Sequence, residues 1–228
     1  MSSRSLRTRA VVLRRTNYGE ADRILQLITP EGRKSVMARG VRKEKSRLAG
    51  GIELFAICDV VIHEGKGGIG VLTSARLVQF YRHIMEDYDR MQFGYEAIKQ
   101  VSRGSETIDN PEWYDLIAEV LAGLDSKTIV RELTETWFYL RYADQVGYGL
   151  SLYVDIDGQA LESGARYLYD DNERGLRLHD RGDITADHIK LLRLVAAKPL
   201  RVLAQIGGLE NIIIDCLLVA RRHAALRD

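Results

Sequence analysis

The sequence predicts an α+β protein: a small antiparallel β-barrel over residues 1–80, then an all-helical domain over 81–228 carrying a hairpin-like excursion at 150–180. Three observations carry this reading. Apolar runs of strand length, each closed by turn residues, fill residues 6–80. From residue 81 the apolar spacing lengthens to three and four, the period of a helix. The charge divides at the same place. Residues 1–80 hold 15 Lys+Arg against 7 Asp+Glu, a formal +8, and residues 81–228 hold 18 against 25, a formal −7. The net charge of +1 conceals this asymmetry, which implies two surfaces with different partners.

The strands come in order. "LRTRAVVLRR" (6–15) alternates and then runs apolar through Ala10–Leu13. "RILQLITP" (23–30) is stopped by Pro30, and "RKSVMARGV" (33–41) sets Ser35, Met37 and Arg39 on one face against Lys34, Val36 and Ala38 on the other. "IELFAICDVVIHE" (52–64) is the longest candidate, and "GVLTSARLVQF" (70–80) closes the set. Turns fall at Asn17-Tyr18-Gly19, Pro30-Glu31-Gly32, Gly50-Gly51 and between Gly65 and Gly70. With no helix long enough for parallel crossovers between them, short strands so closely spaced predict a small barrel.

The helices follow. Residues 81–103 repeat apolar side chains from Ile84 to Ile98 at helical spacing. Asn110 and Pro111 open a second helix over 110–124 as N-cap and first helical residue. A third, 128–147, is rich in aromatics (Trp137, Phe138, Tyr139, Tyr142) and ends at Gly147 and Gly149. These aromatics are read as core before they are read as a partner groove. Residues 150–180 lose the period and gather "DIDG", "DDNERG" and "DRGD", which is turn chemistry. Thr185 caps a helix over 185–198, Pro199 starts a short one, and Gly207-Gly208 precede the last, over 209–226.

Composition bounds the function. Hydrophobic content of 46% in 228 residues is globular. The longest apolar stretch, "IIIDCLLVA" (212–220), is broken by Asp215 and too short to span a bilayer. The N-terminal segment is arginine-rich and lacks the apolar core of a secretory signal. A cytoplasmic protein without membrane contact is therefore expected. Cys58 and Cys216 lie inside apolar segments and read as buried thiols. "GKGGIG" (65–70) has the dinucleotide-fingerprint spacing, but a strand rather than a helix follows it, so a hairpin turn is the better reading. His63, His83, His179, His188 and His223 share no metal-ligand spacing. No cofactor, metal site or catalytic constellation is expected, and a nuclease reading lacks the carboxylate cluster that Mg²⁺ requires.

One cluster stands out. Arg33, Lys34, Arg39, Arg42, Lys43, Lys45 and Arg47 are opposed between residues 33 and 47 only by Glu44, and Arg14 and Arg15 end the first strand. Charge runs are usually solvated loops. Here the run follows the third strand of a barrel, beside the face on which such barrels bind oligonucleotides. With only Tyr18 and Phe55 available in this half for base stacking, contact with nucleic acid would be mostly electrostatic and weakly sequence-specific. Glu20, Asp22 and Arg23 of "YGEADR" read as structural, fixing the first loop.

The segment "AVVLRRTNYGEADRILQLITPEGRKSVMARGVRKEKSRLAGGIELF" (10–55) resembles the N-terminal signature of RecO, the bacterial recombination mediator family. The match includes the arginine-ended strand, Tyr-Gly-Glu-x-Asp-Arg, the Thr-Pro-Glu-x-Gly turn and Lys-Ser-Arg-Leu-Ala-Gly. "VGYG" (146–149) after the aromatic helix fits as well. The resemblance implies an oligonucleotide-binding (OB) fold followed by a helical domain. It implies a non-enzymatic protein of DNA repair and recombination that binds single- and double-stranded DNA and anneals single strands. It also implies work with RecR, contact with the acidic C-terminal tail of single-strand-binding protein, indirect service to RecA, and a place at the nucleoid. Lys127, Arg131 and Arg141, flanking the aromatic helix, are the candidates for receiving that tail. The alternative is a protein-interaction adaptor whose basic face docks an acidic peptide. One departure matters: many relatives carry four zinc-binding cysteines in the excursion, and residues 150–180 contain none. Turn carboxylates and the strand bearing Tyr167 and Tyr169 are expected to hold that element together instead.

Overall fold

The structure, a computed structural model, describes residues 5–65 and 67–225. The expectations that touch Met1–Arg4, Lys66 in the glycine-rich turn and Leu226 at the end of the last helix lie outside the described residues. The chain divides into two compact units, Met1–Asp125 and Ser126–Asp228.

In the first unit, β1 (Ser5–Tyr18), β2 (Asp22–Thr29), β3 (Gly32–Ala38), β4 (Ala56–His63) and β5 (Ile69–Phe80) close into a barrel in the order β1-β2-β3-β5-β4. Neighbours are antiparallel except at the closure, where Ser35–Met37 of β3 run parallel to Ile69–Val71 of β5. Closure leaves no sheet edge exposed. Alternation turns Ala10, Val12, Leu25, Leu27, Val36, Ala38, Cys58 and Val60 inward. The β1–β2 register shifts between Val12 and Arg14, so Arg15 rather than Arg14 stands opposite Leu25 of the core.

The opposite face of an isolated barrel would be wet, yet Val11 and Ile28, paired across β1 and β2, are fully buried. They lie beneath α1 (Tyr88–Thr107) and α2 (Glu112–Asp125), which pack on β1, β2 and β3. The expected domain boundary at 80/81 therefore does not coincide with the boundary between the compact units. The first two helices group with the barrel because they cover apolar residues that its strands turn outward. A 3₁₀ turn, Arg82–Glu86, occupies the start of the first expected helix, and α1 begins behind Asp87, whose carboxylate accepts the Arg90 N–H at 3.0 Å. Asn110 accepts the Glu112 N–H at 2.9 Å ahead of α2, a side-chain cap with Pro111 between them.

In the second unit, α3 (Arg131–Gln145) packs on α6 (Ile213–Ala224), with α4 (Ala186–Ala197) and α5 (Leu200–Leu203) beside them. Trp137, Phe138, Tyr139 and Tyr142 are buried, so the aromatic helix is core, and the Trp137 indole donates to the Lys198 carbonyl at 2.9 Å. α6 begins four residues after the expected Leu209. The segment after Gly207-Gly208 first makes a turn in which the Leu209 carbonyl accepts from both Ile212 and Ile213. Glu135 on α3 is 3% exposed and sits between Arg131 (3.2 Å) and Arg221 of α6 (2.7 Å). Burial pushes its carboxyl above the usual range, and the two guanidiniums pull against that.

The excursion contains the hairpin β6 (Tyr167–Asp170) and β7 (Gly175–Leu178). Its turns are closed by carboxylates. Asp155 accepts from Asp157 and Gln159, and Asp170 accepts from Asn172 and Glu173 while pairing with Arg177 at 2.8 Å. Those backbone bonds, led by Glu173, hold the Asp170 carboxyl below the usual range. Tyr167 and Tyr169 are buried, and the Tyr167 hydroxyl accepts the Glu162 N–H at 2.8 Å.

Candidate nucleic-acid interface

The segment from Arg39 to Phe55 connects β3 to β4, and its ends are buried although its middle is charged. Val41, Ile52 and Phe55 are 3%, 1% and 2% exposed, and Leu48 and Leu54 pack against the barrel core. Gly40, at φ +63°, donates its N–H to the Asp22 carboxylate at 2.7 Å, and the Arg42 N–H donates to the Ala21 carbonyl at 2.9 Å. Arg15 pairs with Glu53 at 3.2 Å, tying the far end of the segment to β1. Gly51 lies against β5 so closely that a Cβ there would meet the Ala75 carbonyl at 2.4 Å. These contacts pre-shape the loop.

Between the anchors the cations point to solvent. Arg39, Lys43, Lys45 and Arg47 are exposed and have no ion-pair partner among the described residues. Arg42 is exposed too, and its guanidinium donates to the Gly19 carbonyl at 3.2 Å, an uncharged acceptor that leaves its charge available. Five cations on a pinned loop, opposed between Arg39 and Arg47 only by the exposed Glu44, make a strong local positive potential. They adjoin the end of the barrel at which Tyr18, 56% exposed, closes β1. Along the outer face that leads away from Tyr18, register pairs Thr16 with Ile24 and Arg14 with Gln26, and then Ile24 with Met37 and Gln26 with Ser35. None of these six side chains is fully buried, and Arg14 is exposed without a partner among the described residues.

Two of the predicted residues, Arg33 and Arg15, are engaged elsewhere. Arg33 turns toward α1: its guanidinium donates to the Ser102 carbonyl (2.6 Å), pairs with Glu106 (2.7 Å) and reaches Ser105 and Gln26. It is a clasp between β3 and the end of α1. Lys34 is half-buried beside it, and both stand six residues or so along the strand from Arg39, about 20 Å at strand rise. The run that is continuous in sequence is therefore split in space. Arg15 serves as an anchor through Glu53. Phe55 is likewise unavailable for base stacking, since it is buried with its ring centroid 4.8 Å from that of Tyr95. Asp22 holds the start of the basic loop through the Gly40 N–H rather than entering an ion pair in the first loop, and Arg23 donates to Asn17 across that first loop at 3.1 Å.

In the second unit, Lys127, Arg131 and Arg141 do not form a cluster. Arg131 is paired with Glu132 (3.0 Å) and Glu135, and Arg141 lies over the Trp137 ring at 5.5 Å. The two are ten residues apart on α3, about 15 Å along its axis. Lys127 is exposed before the helix. Near it is an apolar groove of about 370 Å³ that includes Ile129, Val130, Leu209, Ile213 and Ile214, together with Glu132 and Glu210. Sequence reasoning missed this groove because its walls come from segments some 80 residues apart. Both thiols are buried, with Cys58 pushed up to about 11 and Cys216 to about 12, burial being the main cause. Among the described residues no group of three His, Cys, Asp or Glu could hold a metal ion, and no helix is long and apolar enough to cross a membrane.

Residues 1–81 match the family model "Recombination protein O N terminal", a span that ends one residue after β5. The DNA repair protein RecO of Roseiflexus sp. (strain RS-1) is 33% identical over 154 residues, 67% of this chain and 54% of that protein. The barrel, residues 1–81, belongs to the RecO family. The RecO of Heliobacterium modesticaldum is also 33% identical, over 162 residues that make up 70% of this chain and 58% of that one. The alignment with the Rubrobacter xylanophilus RecO extends through the helical region: 29% identity over 216 residues, 90% of this chain and 86% of the other. The chain thus spans little more than half the length of several of the curated relatives it matches.

Proposed function

We propose that the chain is a recombination mediator of DNA repair that acts by binding rather than by catalysis. It binds single-stranded DNA, also contacts duplex, and brings complementary strands together. In concert with RecR it helps RecA to load onto DNA coated by single-strand-binding protein, in the cytoplasm at the nucleoid. The observation that carries this is the anchored loop with Arg39, Arg42, Lys43, Lys45 and Arg47 facing solvent next to Tyr18, on a barrel of this family. Annealing requires two phosphate backbones to approach despite their repulsion. Mobile contacts with little base readout supply counter-charge while strands test registers, and the release of condensed cations drives the association.

Arg14 extends the contact along the outer face, whereas Arg33 is left out of it because its charge is engaged by Glu106. The same five cations would suit an acidic peptide, such as the tail of single-strand-binding protein. The exposed tyrosine and the half-open outer face beside them favour a nucleic acid. In the second unit Glu132 and Glu210 border the groove nearest Lys127, so charge does not recommend that groove for an acidic tail.

The test is an annealing assay with complementary labelled strands, run with and without an acidic C-terminal peptide. The wild-type chain should accelerate annealing, and Arg39, Arg42, Lys43 and Lys45 changed together to Ala should abolish most of that acceleration. Peptide competition at the loop with no acceleration of annealing would instead establish the adaptor reading.

A further inference from the structure

A second basic surface lies across β1, β4 and β5. Arg7 and Arg9 alternate outward along β1, where register sets them opposite Val61 and Asp59 of β4. On β5, Ser74 stands opposite Val61 and Arg76 opposite Asp59. Two rows result, Arg7–Val61–Ser74 and Arg9–Asp59–Arg76, and these six side chains line an open groove of about 480 Å³. Asp59 is the only carboxylate among its lining residues. It pairs with Arg76 at 2.6 Å and with Arg9 at 4.0 Å, and Arg7 has no partner among the described residues. The groove therefore carries a formal +2. Its cations sit on hydrogen-bonded strands, so their Cα positions are fixed before anything binds. The Arg9 and Arg76 side chains remain 62% and 78% exposed despite their ion pairs.

Place matters as much as charge. In the ring order β1-β2-β3-β5-β4, β4 stands across the barrel from β2 and β3. Along β1, Arg9 is six residues from Arg15, about 20 Å at strand rise and toward the end away from Tyr18. A guanidinium presents a planar fork that matches a phosphate group with two hydrogen bonds. Three of them at cross-strand spacing around one acid fit a run of phosphates better than a single compact anion. We propose that this groove is a second phosphate-backbone site, which holds a nucleic-acid strand distinct from the one at the Arg39–Arg47 loop.

The proposal rests on the reading of the loop as a DNA contact, and its test separates the two. Oligonucleotides of about eight nucleotides, within the site size of one such barrel, are titrated at low salt and their stoichiometry is measured. Wild type should bind two per chain. Arg7, Arg9 and Arg76 changed together to Gln should leave one, and should lower the slope of log K against log salt on a longer single strand by about 2, from roughly 0.7 per phosphate neutralised. Arg7→Glu leaves the Asp59–Arg76 pair intact, so it should lose the second oligonucleotide with no change in melting temperature. Two oligonucleotides per chain in the triple variant, or an unaltered slope, overturns the second site while the mediator reading stands. A wild-type chain that binds no DNA overturns both.

Discussion

Replacing Asp22 with Ala removes one acceptor and, with it, the bond that pins the start of the basic loop. The Asp22 carboxylate accepts the Gly40 N–H at 2.7 Å, and Gly40 itself is held at φ +63°. A hydrogen bond to an ionised group contributes about 1.5–3 kcal/mol net, and the half-buried Gly40 N–H is left without it. Taking about 2 kcal/mol, and an unfolding entropy of about 2.1 cal/mol/K per residue, the first unit should melt roughly 8 °C lower. Calorimetry on the intact chain reads this as a shift of the transition that belongs to Met1–Asp125. Asp22→Asn keeps an acceptor oxygen without the charge and should recover about half of the loss. Hydrogen exchange locates the effect, since the Gly40 and Arg42 amides should lose protection together, both being bonded to the first loop. Unchanged melting with unchanged exchange at those two amides would refute the idea that this contact orders the loop.

Other consequences follow from the same contacts. Arg33→Ala should destabilise the first unit by about 1–3 kcal/mol, since it removes the guanidinium's bonds to the Ser102 carbonyl and to Glu106, yet leave the salt dependence of DNA binding unchanged. A titration beside a melt checks both halves. Cys58 ionises near 11 in the fold against 9.0 for an ordinary thiol. Its contribution is thus complete below pH 9 and is lost as pH rises through 11, roughly 3 kcal/mol in all. Comparing Cys58→Ala with wild type in alkaline melts should show the variant losing less stability over that window. In the second unit burial holds His223 below 6.5. That contribution is present above pH 6.5 and lost as pH falls through the lowered folded value, so the Ser126–Asp228 transition should move down on acidification and His223→Phe should blunt the dependence.

The sequence makes much of the barrel legible because its punctuation is strong. Pro30, Gly32, Gly50-Gly51 and the glycines after Glu64 bound the strands, and Asn110-Pro111 starts α2. The parallel β3–β5 closure is not legible, because it joins residues 34 positions apart by backbone bonds that leave no pattern in side chains. A trace of the helical cover was there to be read. "AVVL" and "ILQLI" are apolar on both faces, which a barrel wet on its outside does not require. For the site, counting charge found the loop but could not distinguish Arg33 from Arg39. One faces α1 and the other faces water, and only the packing of α1 on β3 separates them. The groove of Arg7, Arg9 and Arg76 needed the register across three strands, since two of its cations are 67 or more residues from the third.

The measurement closest to the central claim is the salt dependence of single-stranded DNA binding for wild type and for the Arg39/Arg42/Lys43/Lys45→Ala variant. Each cation that neutralises a phosphate on a single strand contributes about 0.7 to the slope, so four should remove about 3. Weaker binding with a slope reduced by that amount is the expected result. Binding that survives the four substitutions with an unaltered slope would contradict the assignment of the loop.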